Sequence, residues 1–213
     1  IHQHRKSQSR TSPRGGGIAI IHRSDIKLKI VKHDEKRSKN CKILIVKITN
    51  IAKGVALVVV YRPPSSNIGE FIAELNSIIN SGELGRRFII CGNFNCPGPA
   101  RTTGLVNAEL SGLIEEHSLH QHVSSATART GNILNHILTP NDEGILSGIS
   151  IHDVGLSDHY LVAGKLTGSV QTSTAVTVKF RCWKYLDIDE FKRSLRASSV
   201  FGNPANTTES FTE

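Results

Sequence analysis

The stretch Phe88-Ile89-Ile90-Cys91-Gly92-Asn93-Phe94-Asn95 decides how this chain is read. Apolar residues run straight into a glycine and two short amides, the pattern of a buried strand that ends in a turn. Proteins of the α/β class present reactive side chains at such strand ends, because the rigid strand fixes their position. Chemistry is therefore expected at Asn93 and Asn95. A second string of the same kind is Leu156-Ser157-Asp158-His159-Tyr160-Leu161-Val162, where Ser-Asp-His precedes another apolar run.

Working outward from these strings, the pattern alternates strands with a few helices. Residues 18–22 follow the Gly15-Gly16-Gly17 turn as a strand, and residues 26–30 alternate Ile and Leu with Lys as a strand with one solvated face. Residues 43–48 and 55–61 are paired strands joined by a hairpin-length turn; the second is apolar on both faces and should be central. Pro63-Pro64-Ser65-Ser66 then opens a helix whose Ile68, Phe71, Ile72, Leu75, Ile78 and Ile79 form one apolar stripe that ends near Gly82. A second helix is expected over 105–119, with Leu110, Leu113 and Ile114 inward. Shorter strands follow at 133–138, 145–152 and 160–166. A helix over 187–197 is capped by Asp187 or Asp189.

The chain has 213 residues, 38% hydrophobic and 21% charged, which is ordinary for one domain with a full core. Its longest apolar run, 55–61, is far short of the roughly 20 residues that cross a bilayer, so the protein reads as soluble and intracellular, in nucleus or cytoplasm, with no membrane partner. It opens at Ile1 and contains no Met, which reads as a fragment of something longer. The cysteines Cys41, Cys91, Cys96 and Cys182 lack the paired short spacing of a zinc site and read as reduced structural thiols. His117, His120 and His122 have no carboxylate at ligand spacing and read as surface or structural histidines. Charge is concentrated early: residues 1–47 hold thirteen Lys or Arg against three acids, a net of +10 within a total of +8. Such a segment is either the footprint of a polyanion, with Arg14 and Arg23 as contacts, or a solvated face with a frayed terminus over 2–14.

With Tyr61-Arg62-Pro63-Pro64 lying between strand and helix, the chain resembles the endonuclease/exonuclease/phosphatase superfamily, and within it the apurinic-like endonuclease domain of LINE-type (non-LTR) retrotransposons. The resemblance rests on blocks in family order: Arg14 to Ile20, Val58 to Pro64, Gly92-Asn93-Phe94-Asn95, Gly131-Asn132-Ile133-Leu134-Asn135-His136, and Ser157-Asp158-His159. It implies a four-layer α/β sandwich, two packed and mostly antiparallel sheets with helices outside, here without its first strands. It also implies a domain over 1–166, a Ser/Thr/Val-rich linker over 167–179 and, over 180–213, a lead-in to a reverse-transcriptase region of the same polyprotein.

The resemblance further implies Mg²⁺-dependent hydrolysis of a DNA phosphodiester by a monomer. Tyr61, Asn93, Asn95, Asn135, Asp158 and His159 fall at the catalytic positions, Asp158 assists a metal, and Arg62 is a candidate phosphate contact alongside Arg14 and Arg23. Two letters depart from the pattern. The family has Asp where Asn93 and Asn135 stand, and an amide can neither take a proton from water nor stabilise the charged form of His159 as a carboxylate would. The expectation is therefore an impaired endonuclease or, as the alternative, a catalytically dead remnant that keeps some DNA affinity.

Overall fold

The computed structural model of the chain describes residues 2–6 as backbone, and residues 17–31, 41–98, 106–141, 143–168 and 186–198. Arg14, Cys182 and most of the expected linker lie outside the described residues. The chain divides into two compact units, 1–172 and 173–213.

The first unit is built on the hairpin of β4 (Lys42–Ile48) and β5 (Val55–Tyr61), paired in register from Ile48↔Val55 to Lys42↔Tyr61. Its turn is closed by Lys53 and Gly54 at φ 63° and 58°, a left-handed geometry that tight turns favour. Residues on β5 alternate between two apolar layers, so both faces are covered and the strand is central, as its composition predicts. From β5 the chain crosses over through α1 (Ile68–Asn80) and returns as β6 (Phe88–Asn93), parallel to β5. Asn67 caps α1 by accepting from the Glu70 amide at 3.0 Å, and Phe71, Leu75 and Ile78 are its buried stripe. Parallel pairing brings the β6 backbone hard against β5. A Cβ on Gly92, at φ 142°, would lie 1.9 Å from the Val60 carbonyl oxygen, so only glycine fits.

Helix α2 (Ala108–Glu116) is shorter than the apolar pattern predicts. It starts where Asn107 accepts from the amides of Glu109 and Leu110, and it stops before Ser118, which takes φ 48°. Leu119, expected in the helix, instead opens the short strand β7 (Leu119–Gln121) on β8 (Asn135–Pro140). With β3 (Leu28–Val31) at the other edge, the six strands run in the order β3-β4-β5-β6-β8-β7. One face is covered by α1 and α2, where Phe71, Leu75, Leu110 and Leu113 pack on Ile43, Val58, Ile90 and Leu138.

The opposite face carries a second layer of two antiparallel ribbons. In one, β1 (His2–Lys6) pairs with β2 (Ile18–His22), from His2↔His22 to Lys6↔Ile18. The start of the segment given as frayed in one reading of 2–14 is thus an ordered strand. Its Ile18 and Ile20 pack on Leu44 and Val46. In the other, β9 (Leu146–His152) pairs with β10 (Leu161–Leu166), and Ile145, Leu146 and Leu166 pack with Val55, Ile89 and Ile137. The unit is thus a layered α/β sandwich with two packed sheet layers and, among the described residues, helices on the outside of the six-stranded sheet. The outer face of the ribbons is open, with Ile21 64% and Leu161 53% exposed.

The described part of the second unit is α3 (Ile188–Ala197), capped by Asp187, whose carboxylate accepts from the amides of Asp189 and Glu190. Cys41, Cys91 and Cys96 form no disulfide, Cys41 donating to a Glu74 carboxylate oxygen at 3.2 Å, and burial raises the pKa of Cys91 and Cys96. Among the described residues no helix is long and apolar enough to cross a membrane.

Candidate active site

Strand register assembles the site. Tyr61 lies opposite Asn93 in the β5–β6 pair, and Asn93 lies opposite Asn135 in the β6–β8 pair. Directly opposed residues project to the same side of a sheet. That side is the one facing the ribbons, because Tyr61 packs with Leu44 and Val46, and Cys91 and Ile137, two residues along from Asn93 and Asn135, pack with the β9–β10 ribbon. Three residues from distant parts of the sequence therefore form one polar row at the end of the sheet, all half-buried. The row continues one strand further than the motifs suggest. Lys42 lies opposite Tyr61 in the β4–β5 pair, with its Nζ 6.0 Å from the Tyr61 ring centre, a cation–π separation.

A buried clamp sets the turn after β6. Arg62 is 2% exposed, and its guanidinium donates only to main-chain carbonyls and one hydroxyl: Nε to Phe94 at 2.7 Å, one terminal nitrogen to Ser66, the other to Asn95. In return Asn95, at φ 48°, donates its side-chain amide to the Arg62 carbonyl at 2.6 Å, and its own N–H bonds to Asn93 Oδ1 at 3.1 Å. The Arg62 N–H reaches the Asn93 carbonyl at 3.0 Å, and the Phe94 N–H reaches Leu134 at 2.9 Å. Two expectations change here. Arg62 is a positioning residue that locks the Asn93 turn, with its donors turned inward rather than toward a phosphate. Asn95 spends its amide donor on the same clamp.

Thr127 joins the row to the Ser-Asp-His string. Fully buried, its Oγ1 accepts from the amides of Leu134 and Asn135, both at 2.9 Å, while its carbonyl accepts from Tyr160 N–H at 2.8 Å. The neighbouring Ala128 bridges to His159, and the Arg129 N–H donates to the Asp158 carbonyl at 2.9 Å. Ser157 Oγ braces the same turn by accepting from His159 N–H at 3.0 Å. Asp158 and His159 are thereby held beside the end of β8 that carries Asn135. Nothing in the sequence marks Thr127, since a lone threonine in a loop has no periodicity to expose its burial.

Other candidates fall elsewhere. Arg23 forms a bidentate ion pair with Asp25 at 3.0 and 2.6 Å, and Arg23 holds the Asp25 carboxyl below its ordinary range. Asn50, in the β4–β5 turn, donates to the Asp25 carbonyl at 2.7 Å. This places Arg23 at the opposite end of the sheet, about 20 Å from the row for a seven-residue strand. His136, adjacent to Asn135, points to the helix side: it is 1% exposed and tilted against Phe94 at 5.1 Å. Gln121 Nε2 lies 2.8 Å from its Nδ1, Nε2 has no hydrogen-bond partner, and burial pushes its pKa down to about 4 against weak opposition from the Ile133 backbone. His117 bonds to Asn76 and His122 to Thr139, as structural histidines do.

The polar row itself offers a Mg²⁺ no carboxylate. That ion holds a rigid octahedron of oxygens and is bound through one or two carboxylates together with substrate phosphates. The β9–β10 loop beside this end of the sheet carries two exposed carboxylates, Asp158 and Asp153, the latter 3.7 Å from Arg129; the oxygens of the row itself belong to amides and a phenol. Among the described residues no group of three or more His, Cys, Asp or Glu could hold a metal ion.

The first unit is thus an α/β sandwich of two sheet layers with a polar row at the strand ends, braced against a Ser-Asp-His turn. The chain belongs to the family described as endonuclease-reverse transcriptase, which matches residues 55–163, from the first residue of β5 into β10. Among solved structures it is similar to the endonuclease domain of TRAS1, a telomere-specific non-LTR retrotransposon, with a TM-score of 0.62 at 14% identity over 78% of this chain and 79% of that one. A beta toxin of Staphylococcus aureus aligns over 59% of this chain and 57% of its own at 12% identity, with a TM-score of 0.38. No curated protein matches the sequence.

Proposed function

We propose that this chain is the DNA endonuclease domain of a retrotransposon polyprotein, a monomer that acts on a phosphodiester of target DNA and whose hydrolytic step is impaired by Asn93 and Asn135. The reading rests above all on the Tyr61–Asn93–Asn135 row and its tie through Thr127 to Asp158 and His159. A reverse-transcriptase region of the same polyprotein is the natural partner, in keeping with the family description and with the fold shared with the TRAS1 domain.

Cleavage of a phosphodiester needs an activated water, donors for the equatorial oxygens and an acid for the leaving oxygen. The phenol of Tyr61, the amides of Asn93 and Asn135 and the imidazole of His159 supply donors for the oxygens. Asn93 cannot accept a proton from water, and loss of a positioned base costs roughly 10²–10⁴ in rate. With amides rather than carboxylates along the row, a second reading has support, that of a catalytically dead remnant retaining DNA affinity. Supercoiled plasmid incubated with the chain, and with its Asn93→Asp, Asn135→Asp form, separates the two. Slow nicking by the chain as it stands, at least about 10²-fold faster in the double variant, is expected for the impaired enzyme. Equal rates for the two would remove the impairment, nicking by the double variant alone would favour the remnant, and failure of both proteins to bind or cut DNA would overturn the assignment.

A further inference from the structure

We propose that Lys29 and Lys47, set opposite each other at the far end of the six-stranded sheet, form a phosphate-binding patch for a nucleic-acid backbone, separate from the polar row. The choice of polyanion rests on the endonuclease reading. The patch itself rests on the register of β3 and β4.

Lys29↔Lys47 is one of the four pairs of that ladder, two steps from Val31↔Ile45. Val31 and Ile45 pack in the core beneath the helices, whereas Leu28 and Val46, each one residue away from a lysine, pack with β2 on the ribbon side. Lys29 and Lys47 therefore project together to the helix side. Five residues along β4 from the strand end that carries the row, Lys47 is about 17 Å away from it and on the other face. No one segment of the row's substrate subsite is shared with it.

Opposed Cβ atoms in a sheet are about 5 Å apart, and like charges so placed destabilise the pairing. Among the described residues neither lysine has a carboxylate partner that offsets this. Asp25, which precedes them in the chain, is engaged by Arg23 through both carboxylate oxygens. Lys27, exposed two residues before Lys29, adds a third positive charge that Asp25 offsets only in part. A lysine on an edge strand can serve simply to block further strand pairing, and β3 is an edge. That account does not reach Lys47, because β4 is flanked by β3 and β5 and has no edge to guard. Lys47 is half-buried, opposite the buried Ala56, a setting in which a lysine keeps its stem on apolar surface and its ammonium in water. Were stability the only demand, an acid at either position would turn the repulsion into an ion pair. The uncompensated pair is instead complementary to a chain of phosphates, whose counterions it releases on binding.

The test pairs stability with binding in the full chain. Fluorescence anisotropy across a salt series is read with two labelled probes, a short DNA duplex and a single-stranded RNA. Lys29→Gln, Lys47→Gln, their double variant and Lys29→Glu are compared with Lys165→Gln, an exposed lysine on β10. Lys29→Glu should raise the urea midpoint by roughly 0.2–0.5 M and weaken binding several-fold at low salt. In the double variant the log–log salt slope should become shallower by about 0.9 per lysine on duplex, or about 0.7 on a single strand. Lys165→Gln should leave it alone. A loss with either probe supports the patch and names the backbone it takes. Unchanged slopes with both probes in the folded double variant, or an equal loss in Lys165→Gln, would overturn the patch while leaving the endonuclease reading in place. Failure of the unaltered chain to bind either probe would overturn that reading, and the choice of polyanion with it.

Discussion

Replacing Arg62 with alanine should unfold much of this protein's margin of stability while leaving its electrostatic attraction for DNA untouched. The guanidinium is 2% exposed and donates to the carbonyls of Phe94, Ser66 and Asn95. Hydrogen bonds from a charged donor contribute about 1.5–3 kcal/mol each, so three give an upper range near 4.5–9 kcal/mol. Ser66 and Asn95 are half-buried turn residues, and water can reach their carbonyls once the side chain is gone. The net loss should therefore be about 3–5 kcal/mol, out of a total that is typically about 5–15 kcal/mol for a domain. With a urea m-value of about 2 kcal/mol/M, the midpoint should fall by roughly 2 M. Arg62→Lys keeps the charge, but one ammonium cannot span three carbonyls, and about half the loss should remain. The assay is urea unfolding paired with DNA titration at several salt concentrations, read where each variant is folded. A midpoint shift under about 0.5 M, together with a salt slope shallower by about one unit, would refute the clamp and return Arg62 to the surface as a phosphate contact.

Two further outcomes follow from buried groups around the site. Thr127→Val removes the acceptor shared by the Leu134 and Asn135 amides; it should cost about 2–4 kcal/mol and speed hydrogen exchange at those two amides, while Thr127→Ser should retain most of the stability. His136, with a pKa near 4 against an ordinary 6.5, binds its proton more readily in the unfolded chain than in the folded one. Its effect is therefore nil above about pH 6.5, and stability falls as pH drops toward 4, by roughly 3 kcal/mol in all. Denaturant midpoints at pH 7.5 and 4.5 should show this loss, and His136→Phe should remove most of it.

The two readings of Arg62 also explain what the sequence discloses and what it withholds. Helix α1 and strands β5 and β6 are legible because their apolar residues recur at 3.6 or fill both faces, and burial enforces those patterns. Strand β1 is not legible: His2-Gln3-His4-Arg5-Lys6 has no apolar alternation, and its pairing with β2 is a tertiary fact. The ends of α2 depended on the Asn107 cap and on Ser118 at positive φ, both local details beneath an apolar pattern that runs past them.

At the site, the end of β6 at Asn93 is legible because a turn after an apolar run marks the place, whereas Tyr61 and Asn135, which opens β8, are singled out only by the family resemblance. Which neighbours join them is a question of side, and side alternates with every residue along a strand. Arg62 follows Tyr61 and His136 follows Asn135, so both turn toward the helices; adjacency in sequence is here the signature of separation in space. Lys42 is nineteen positions from Tyr61, yet the β4–β5 register sets it directly opposite. The cation nearest the site in sequence is thus spent on holding the turn, which the apolar pattern of the strands does not disclose.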